Sequence, residues 1–115
     1  MRERVGLIVA VALLGLAGRA GAADVAKGKV VFETRCAPCH GDRGAGDGPA
    51  AAALEPKPRN FLDPSFWNGR TTAQLKLVVK QGKPGTLMAP FAGVLTDAEI
   101  DDVVSYVESL RPKPH

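Results

Sequence analysis

Cys36-Ala37-Pro38-Cys39-His40 is the stretch on which the reading of this chain turns. Two thiols three positions apart can reach the two vinyl groups on one side of a porphyrin, and the adjacent imidazole then lies under the iron. C-x-x-C-H is therefore the attachment signature of c-type haem. Other uses of two cysteines fit less well. A thioredoxin-like dithiol opens a helix after a strand in a βαβ unit, whereas here the motif ends a helix and no parallel sheet is legible. A zinc site needs a fourth ligand, and the one other histidine is His115, the last residue of the chain. A plain disulfide or a pair of idle thiols leaves three features without a common reason: the spacing, the export leader and the thin aromatic core described below.

Upstream of the motif, Asp24 is placed to cap a helix running to about Cys36, in which Val25, Gly28, Phe32 and Cys36 recur at steps of three and four and share one face. Downstream, Gly41 to Pro64 is Gly-rich, then Ala-rich, then Pro-rich, which predicts loops with at most a short helix around Pro49 to Leu54. So long an irregular stretch suggests a chain that wraps something. Thr71 or Thr72 starts a second helix with Leu75, Val78 and Val79 as its buried stripe, and Gly82 with Pro84 stops it. Another loop spans 83–94. Thr96 with Glu99 makes a capping box, and Ile100, Val103, Val104, Val107 and Leu110 give the last helix an apolar face up to Pro112. No run alternates with period two for long enough to make a strand, so the expected class is all-α.

The chain has 115 residues, 45% of them hydrophobic, the size and balance of one small domain. Thirteen Gly, nine Pro and six aromatic residues are a thin supply of core, which a bound cofactor would complete. Residues 1–22 read as a cleaved export signal. Arg2 and Arg4 are followed by an uncharged apolar run from Val5 to Gly18 and by the small residues Ala20-Gly21-Ala22. That run falls short of the roughly 20 residues a membrane span requires, and none of that length follows. The expected mature unit is 23–115, periplasmic and without a membrane span. It carries twelve basic against eleven acidic residues, a balance that gives no reason to expect a nucleic-acid partner.

An iron held by His40 needs a sixth ligand or an open face, and few side chains qualify. With Met1 in the leader, Met88 is the remaining methionine, in a loop between Gly82 and Gly85 on one side and Pro90 on the other. A rigid irregular segment of this kind suits the presentation of one thioether. The plainer alternative is a methionine used as core filler, against which its loop position speaks. His115 is the second candidate, at a terminus and after two prolines, where chains fray.

With these residues in place, 24–115 resembles the class I cytochromes c. Gly28 and Phe32 resemble the N-terminal helix positions that such cytochromes pack against the C-terminal helix, with Val103 and Tyr106 as the matching partners. A glycine lets the two backbones approach, and an aromatic ring fills the crossing. The resemblance implies that Pro49, in Gly-Asp-Gly-Pro, supplies the carbonyl that accepts the His40 Nδ1 proton. Met88-Ala-Pro90-Phe91 is similar to the family's Met-Pro-x-Phe loop, departing by one residue inserted before the proline. Pro58-Arg59-Asn60-Phe61 and Trp67 resemble the segment over the haem propionates, which implies an Arg59–propionate pair and a hydrogen bond from Trp67 Nε1.

The fold implied is a small cytochrome c-like one, three or four helices wrapped around one covalent haem c. The function implied is electron transport: single electrons pass between redox protein partners, with no substrate chemistry, in a monomer or a transient complex. Two other readings stay open. One is a subunit fixed in a larger oxidoreductase; the other is a haem sensor or small-ligand enzyme whose Met88 dissociates to admit a gas or peroxide. The near-neutral sum of 23–115 predicts an exchange rate that falls only modestly with salt. Lys27, Lys29, Lys80 and Lys83 are the basic residues expected nearest an exposed haem edge.

Overall fold

The computed structural model describes residues 22–114; the expected leader, apart from Ala22, and His115 lie outside them. Among the described residues four helices follow one another: α1 (Val25–Arg35), α2 (Ala37–His40), α3 (Thr72–Gln81) and α4 (Asp97–Ser109). Two 3-10 turns, Ala51–Ala53 and Pro64–Trp67, interrupt the long connection between α2 and α3. An isolated bridge between Ala92 and Leu95 is the one β feature among the described residues. The expected short helix near Pro49 to Leu54 is thus a single 3-10 turn. The turn at Pro64 was not expected; it is capped by Asp63, whose carboxylate accepts from both the amide and the hydroxyl of Ser65, each at 2.9 Å.

Asp24 caps α1 by accepting from the Lys27 amide, and its own amide donates to Asp102 on α4 at 2.8 Å. The two helices then cross where Gly28 is buried. A Cβ there would run into the Asp102 carbonyl and meet Tyr106 Cβ at 3.0 Å, so the crossing distance is set by the missing side chain. One turn on, Phe32 is fully enclosed, with its ring centroid 5.2 Å from Tyr106 and 6.5 Å from Phe61. The expected pairing of Gly28 and Phe32 with the last helix is present, with the Asp102 carbonyl as the nearest neighbour of Gly28.

The predicted capping box of Thr96 with Glu99 is formed on α4, and α3 has one as well, Thr71 with Gln74, which settles its start at Thr71. On α4, Ile100, Val103, Val104 and Val107 are buried. On α3, by contrast, no residue is buried, and Leu75, Val78 and Val79 are only half-covered. The stripe expected to be core faces a cavity instead. Three polar contacts set the register of α3 on α4: Thr72 Oγ1 to Glu108 Oε2 at 2.6 Å, Lys76 to Asp101 at 2.9 Å and Lys80 to Asp97 at 3.7 Å. Helices α1 and α3 each pack on α4 and not on each other.

Candidate functional site

A cavity of about 440 Å³ lies between α1–α2, the 54–61 loop, α3, the 83–91 loop and α4. Its walls are mostly apolar, from Phe32, Leu75, Val79 and Phe91 to Val103 and Val104. Cys36, Cys39 and His40 enter it from α1–α2, and Met88 from the 83–91 loop. The motif reaches the cavity because α1 ends on Cys36, whose amide still donates to the Phe32 carbonyl at 2.8 Å. Pro38 then opens the single turn of α2, and the His40 amide closes it on the Cys36 carbonyl at 2.8 Å. Both thiols are free. Burial pushes the Cys36 thiol up to about 11, with the neighbouring Cys39 adding to the rise. Burial likewise holds His40 below the ordinary histidine value, partly offset by the carbonyl of Arg59. The neutral imidazole is the form a metal accepts.

His40 is held on an edge and on a face. Its Nδ1 lies 3.2 Å from the Arg59 carbonyl, and its ring stacks on Phe61 with centroids 4.7 Å apart and planes 16° from parallel. The carbonyl expected from Pro49 is not the one used. Pro49 lies away from the cavity, beside a separate shallow depression with Asp42 and Asp47. The reason is backbone pairing. The amides of Gly48 and Ala50 donate back to the Cys39 and Pro38 carbonyls, which folds the 48–51 turn against the outside of α2. The 58–61 strand of loop is drawn under His40 instead. The Phe61 amide donates to the Gly44 carbonyl at 2.7 Å, and Gly46, at φ +80°, would place a Cβ 2.8 Å from the Pro58 carbonyl and 3.2 Å from that of Arg59.

Trp67 is likewise placed differently from the expectation. It is buried outside the cavity wall, and its one donor, Nε1, gives its hydrogen to the Phe61 carbonyl at 2.8 Å. It packs edge-on against Phe66 and so holds the 61–67 segment that backs His40. Arg59 does line the cavity, and Arg70 lines it too, also over the Phe66 ring. The two guanidinium groups lie 4.9 and 4.1 Å from that ring's centroid. Arg70 donates to the Phe66 carbonyl at 2.5 Å, and its affinity for its proton is lowered by desolvation and by the charge of Arg59. Nothing in the sequence marks Arg70, a single arginine after a loop glycine; only the fold brings it to Arg59.

Met88 is half-buried in a loop tied back onto the end of α3. The Phe91 and Ala92 amides donate to the Val79 and Lys80 carbonyls, and the Lys83 amide to the Met88 carbonyl at 3.2 Å. Gly82 is required twice, for its φ of +73° and because a Cβ would fall 2.6 Å from the Met88 carbonyl oxygen.

Two thiols, an imidazole, a thioether, an apolar wall and two guanidinium groups, with no acidic residue on the cavity lining, are together the donor set for a particular guest. They suit an apolar, iron-bearing macrocycle that carries carboxylates and is fixed by thioether bonds. The residues present fit haem c.

A family model described as Cytochrome c matches residues 25–111. The chain is 33% identical over 92 residues to cytochrome c-554(547) of Halothiobacillus neapolitanus, a match covering 78% of this chain and all of that protein. It is 35% identical over 107 residues to dihydro-heme d1 dehydrogenase of Pseudomonas aeruginosa, covering 92% of this chain but 20% of that one, so it spans about a fifth of that relative's length. Among solved structures, cytochrome c6 from the diatom Phaeodactylum tricornutum matches with a TM-score of 0.55 and 30% identity, over 75% of this chain and 92% of the other.

Proposed function

The chain belongs to the cytochrome c family, as an electron-carrying protein with covalently bound haem c, and from that premise we propose that it is a periplasmic single-electron carrier whose iron is ligated by His40 and Met88. The observation that carries the reading is that one cavity gathers Cys36, Cys39, His40 and Met88 from two separate parts of the chain. Haem c supplies, when bound, a reversible one-electron couple. Cys36 and Cys39 hold it by thioether bonds. His40 is oriented by the Arg59 carbonyl, which fixes its tautomer and raises its basicity. Met88 offers a soft thioether, and the apolar wall of α3 and α4 disfavours added charge; both raise the potential. Arg59 and Arg70, which line the cavity, would compensate the carboxylates that the group carries.

With His40 and Met88 both given to holding the iron, the protein would pass electrons to redox partners rather than transform a substrate. No described helix is long and apolar enough to cross a membrane, and the residues before Ala23 have the pattern of an export signal. The test is direct. Protein made in a cell that attaches haem c should keep its colour through acid-acetone extraction, and the mass of the mature chain should correspond to a start at Ala23 or Asp24. Colour that extracts freely, or loss of colour on Cys36→Ser with Cys39→Ser only through unfolding, would overturn the attachment. A chain that keeps Met1 would overturn the periplasmic placement.

A further inference from the structure

Trp67 stands off the cavity wall, yet its one polar atom donates to the segment that holds His40. The two contacts that hold the His40 ring both come from residues 59–61: the Arg59 carbonyl at Nδ1 and the Phe61 ring against its face. That segment belongs to no helix. It is clamped at one residue, on two sides. The Phe61 amide donates to the Gly44 carbonyl at 2.7 Å, and the Phe61 carbonyl accepts from Trp67 Nε1 at 2.8 Å. The indole is itself fixed. It closes the 3-10 turn Pro64–Trp67, is buried, meets Phe66 edge-on at 5.0 Å and has the Arg111 guanidinium 5.6 Å from its ring. A hydrogen bond in such surroundings is stronger than one in water, and removal of its donor would leave a buried carbonyl unpaired.

We propose that Trp67 is a positioning residue for His40: by holding the Phe61 carbonyl it seats both the Phe61 ring and the Arg59 carbonyl, and so sets the strength of the Nδ1 hydrogen bond and, through it, the redox potential. The inference rests on the reading of His40 as an iron ligand above. A carbonyl only accepts, so Nδ1 keeps its hydrogen and Nε2 is the nitrogen left for a metal. The closer that carbonyl, the more electron density the imidazole gives, which favours the ferric state and lowers the potential. An indole off the cavity wall thereby tunes the ligand. A phenylalanine at 67 would still fill space beside Phe61 and Phe66, so the N–H alone separates this role from that of a core side chain.

The experiment separates the N–H from the bulk of the ring. In one holoprotein Trp67 is replaced by benzothienylalanine, whose sulfur stands where the N–H was; a second carries Trp67→Phe. In the reduced form of both, the His40 Nδ1 proton should move upfield in the NMR spectrum and exchange with deuterium roughly fivefold faster, the factor that one hydrogen bond of ordinary strength represents. The midpoint potential of both should rise. Ile100→Val trims a side chain that is buried on α4 but absent from the cavity wall. It should lower the melting temperature and leave the proton and the potential where they were. If either the proton or the potential stays unmoved in the benzothienyl protein, or if Ile100→Val moves them equally, the positioning role is overturned and the carrier reading stands. A reduced holoprotein with no resonance from an iron-bound histidine fails the earlier assignment of His40, and this inference with it.

Discussion

Met88→Ala is expected to lower the midpoint potential by on the order of 0.2 V, about a quarter of the roughly 0.8 V that axial ligands command. The same change should remove the weak far-red sulfur-to-iron band of the ferric protein and let carbon monoxide bind the reduced form. The physical reason is that thioether sulfur favours the lower charge state, and with Cys36 and Cys39 committed to attachment no other sulfur lines the cavity. The shape of the loop should survive, since it is held by the backbone bonds of Lys83, Phe91 and Ala92 rather than by the methionine side chain. Removal of His115 provides the contrast: the spectrum should not change. A Met88→Ala protein with unaltered bands, together with a His115 deletion that alters them, would transfer the ligand role to the terminus. Spectroelectrochemical titration of the two variants decides the matter.

The largest effect on stability is expected from Gly28→Val. Its Cβ would run into the Asp102 carbonyl, and a β-branched side chain would also strike Tyr106, so α1 and α4 must move apart. Overpacking of this kind costs about 3 kcal/mol, which in a domain of this size corresponds to a fall of roughly 12–24 °C in Tm. Val30→Ala, two residues on and 63% exposed, should stay within about 0.5 kcal/mol. Thermal melts of the two holoproteins followed at a haem band would show the difference. Equal melting temperatures would mean that the helix crossing tolerates separation and is not the keystone of the fold.

The helices were legible because each is written in side chains at fixed spacing. Asp24, Thr71 and Thr96 announce starts, Gly82 a stop, and Ile100 to Val107 a core face, all of which the structure repeats. The C-x-x-C-H motif was legible because its chemistry is local. What was not legible is the path of the long connection from Gly41 to Trp67. That path is fixed by backbone amides meeting backbone carbonyls, at Gly44, Gly46 and Gly48, and any residue type carries those groups. A proline nine residues from His40 was therefore as good a candidate for the Nδ1 acceptor as a carbonyl nineteen residues away, and the structure uses the latter. Trp67 shows the same difficulty, since a single donor satisfied by a carbonyl six residues back leaves no trace in composition. The half-covered stripe of α3 reads as core in sequence because a side chain that faces a cofactor and one that faces a neighbour have the same hydropathy.

The arrangement in which α1 and α3 touch α4 but not each other also orders events in time. The part of the chain bearing Cys36, Cys39 and His40 and the part bearing Met88 are two jaws without a joint until the last helix arrives. A polypeptide threaded N-terminus first, through a ribosome or a translocation pore, delivers residues 25–92 before residues 97–109. For that interval neither part has the helix it packs on, so the cavity between them is completed only when α4 docks.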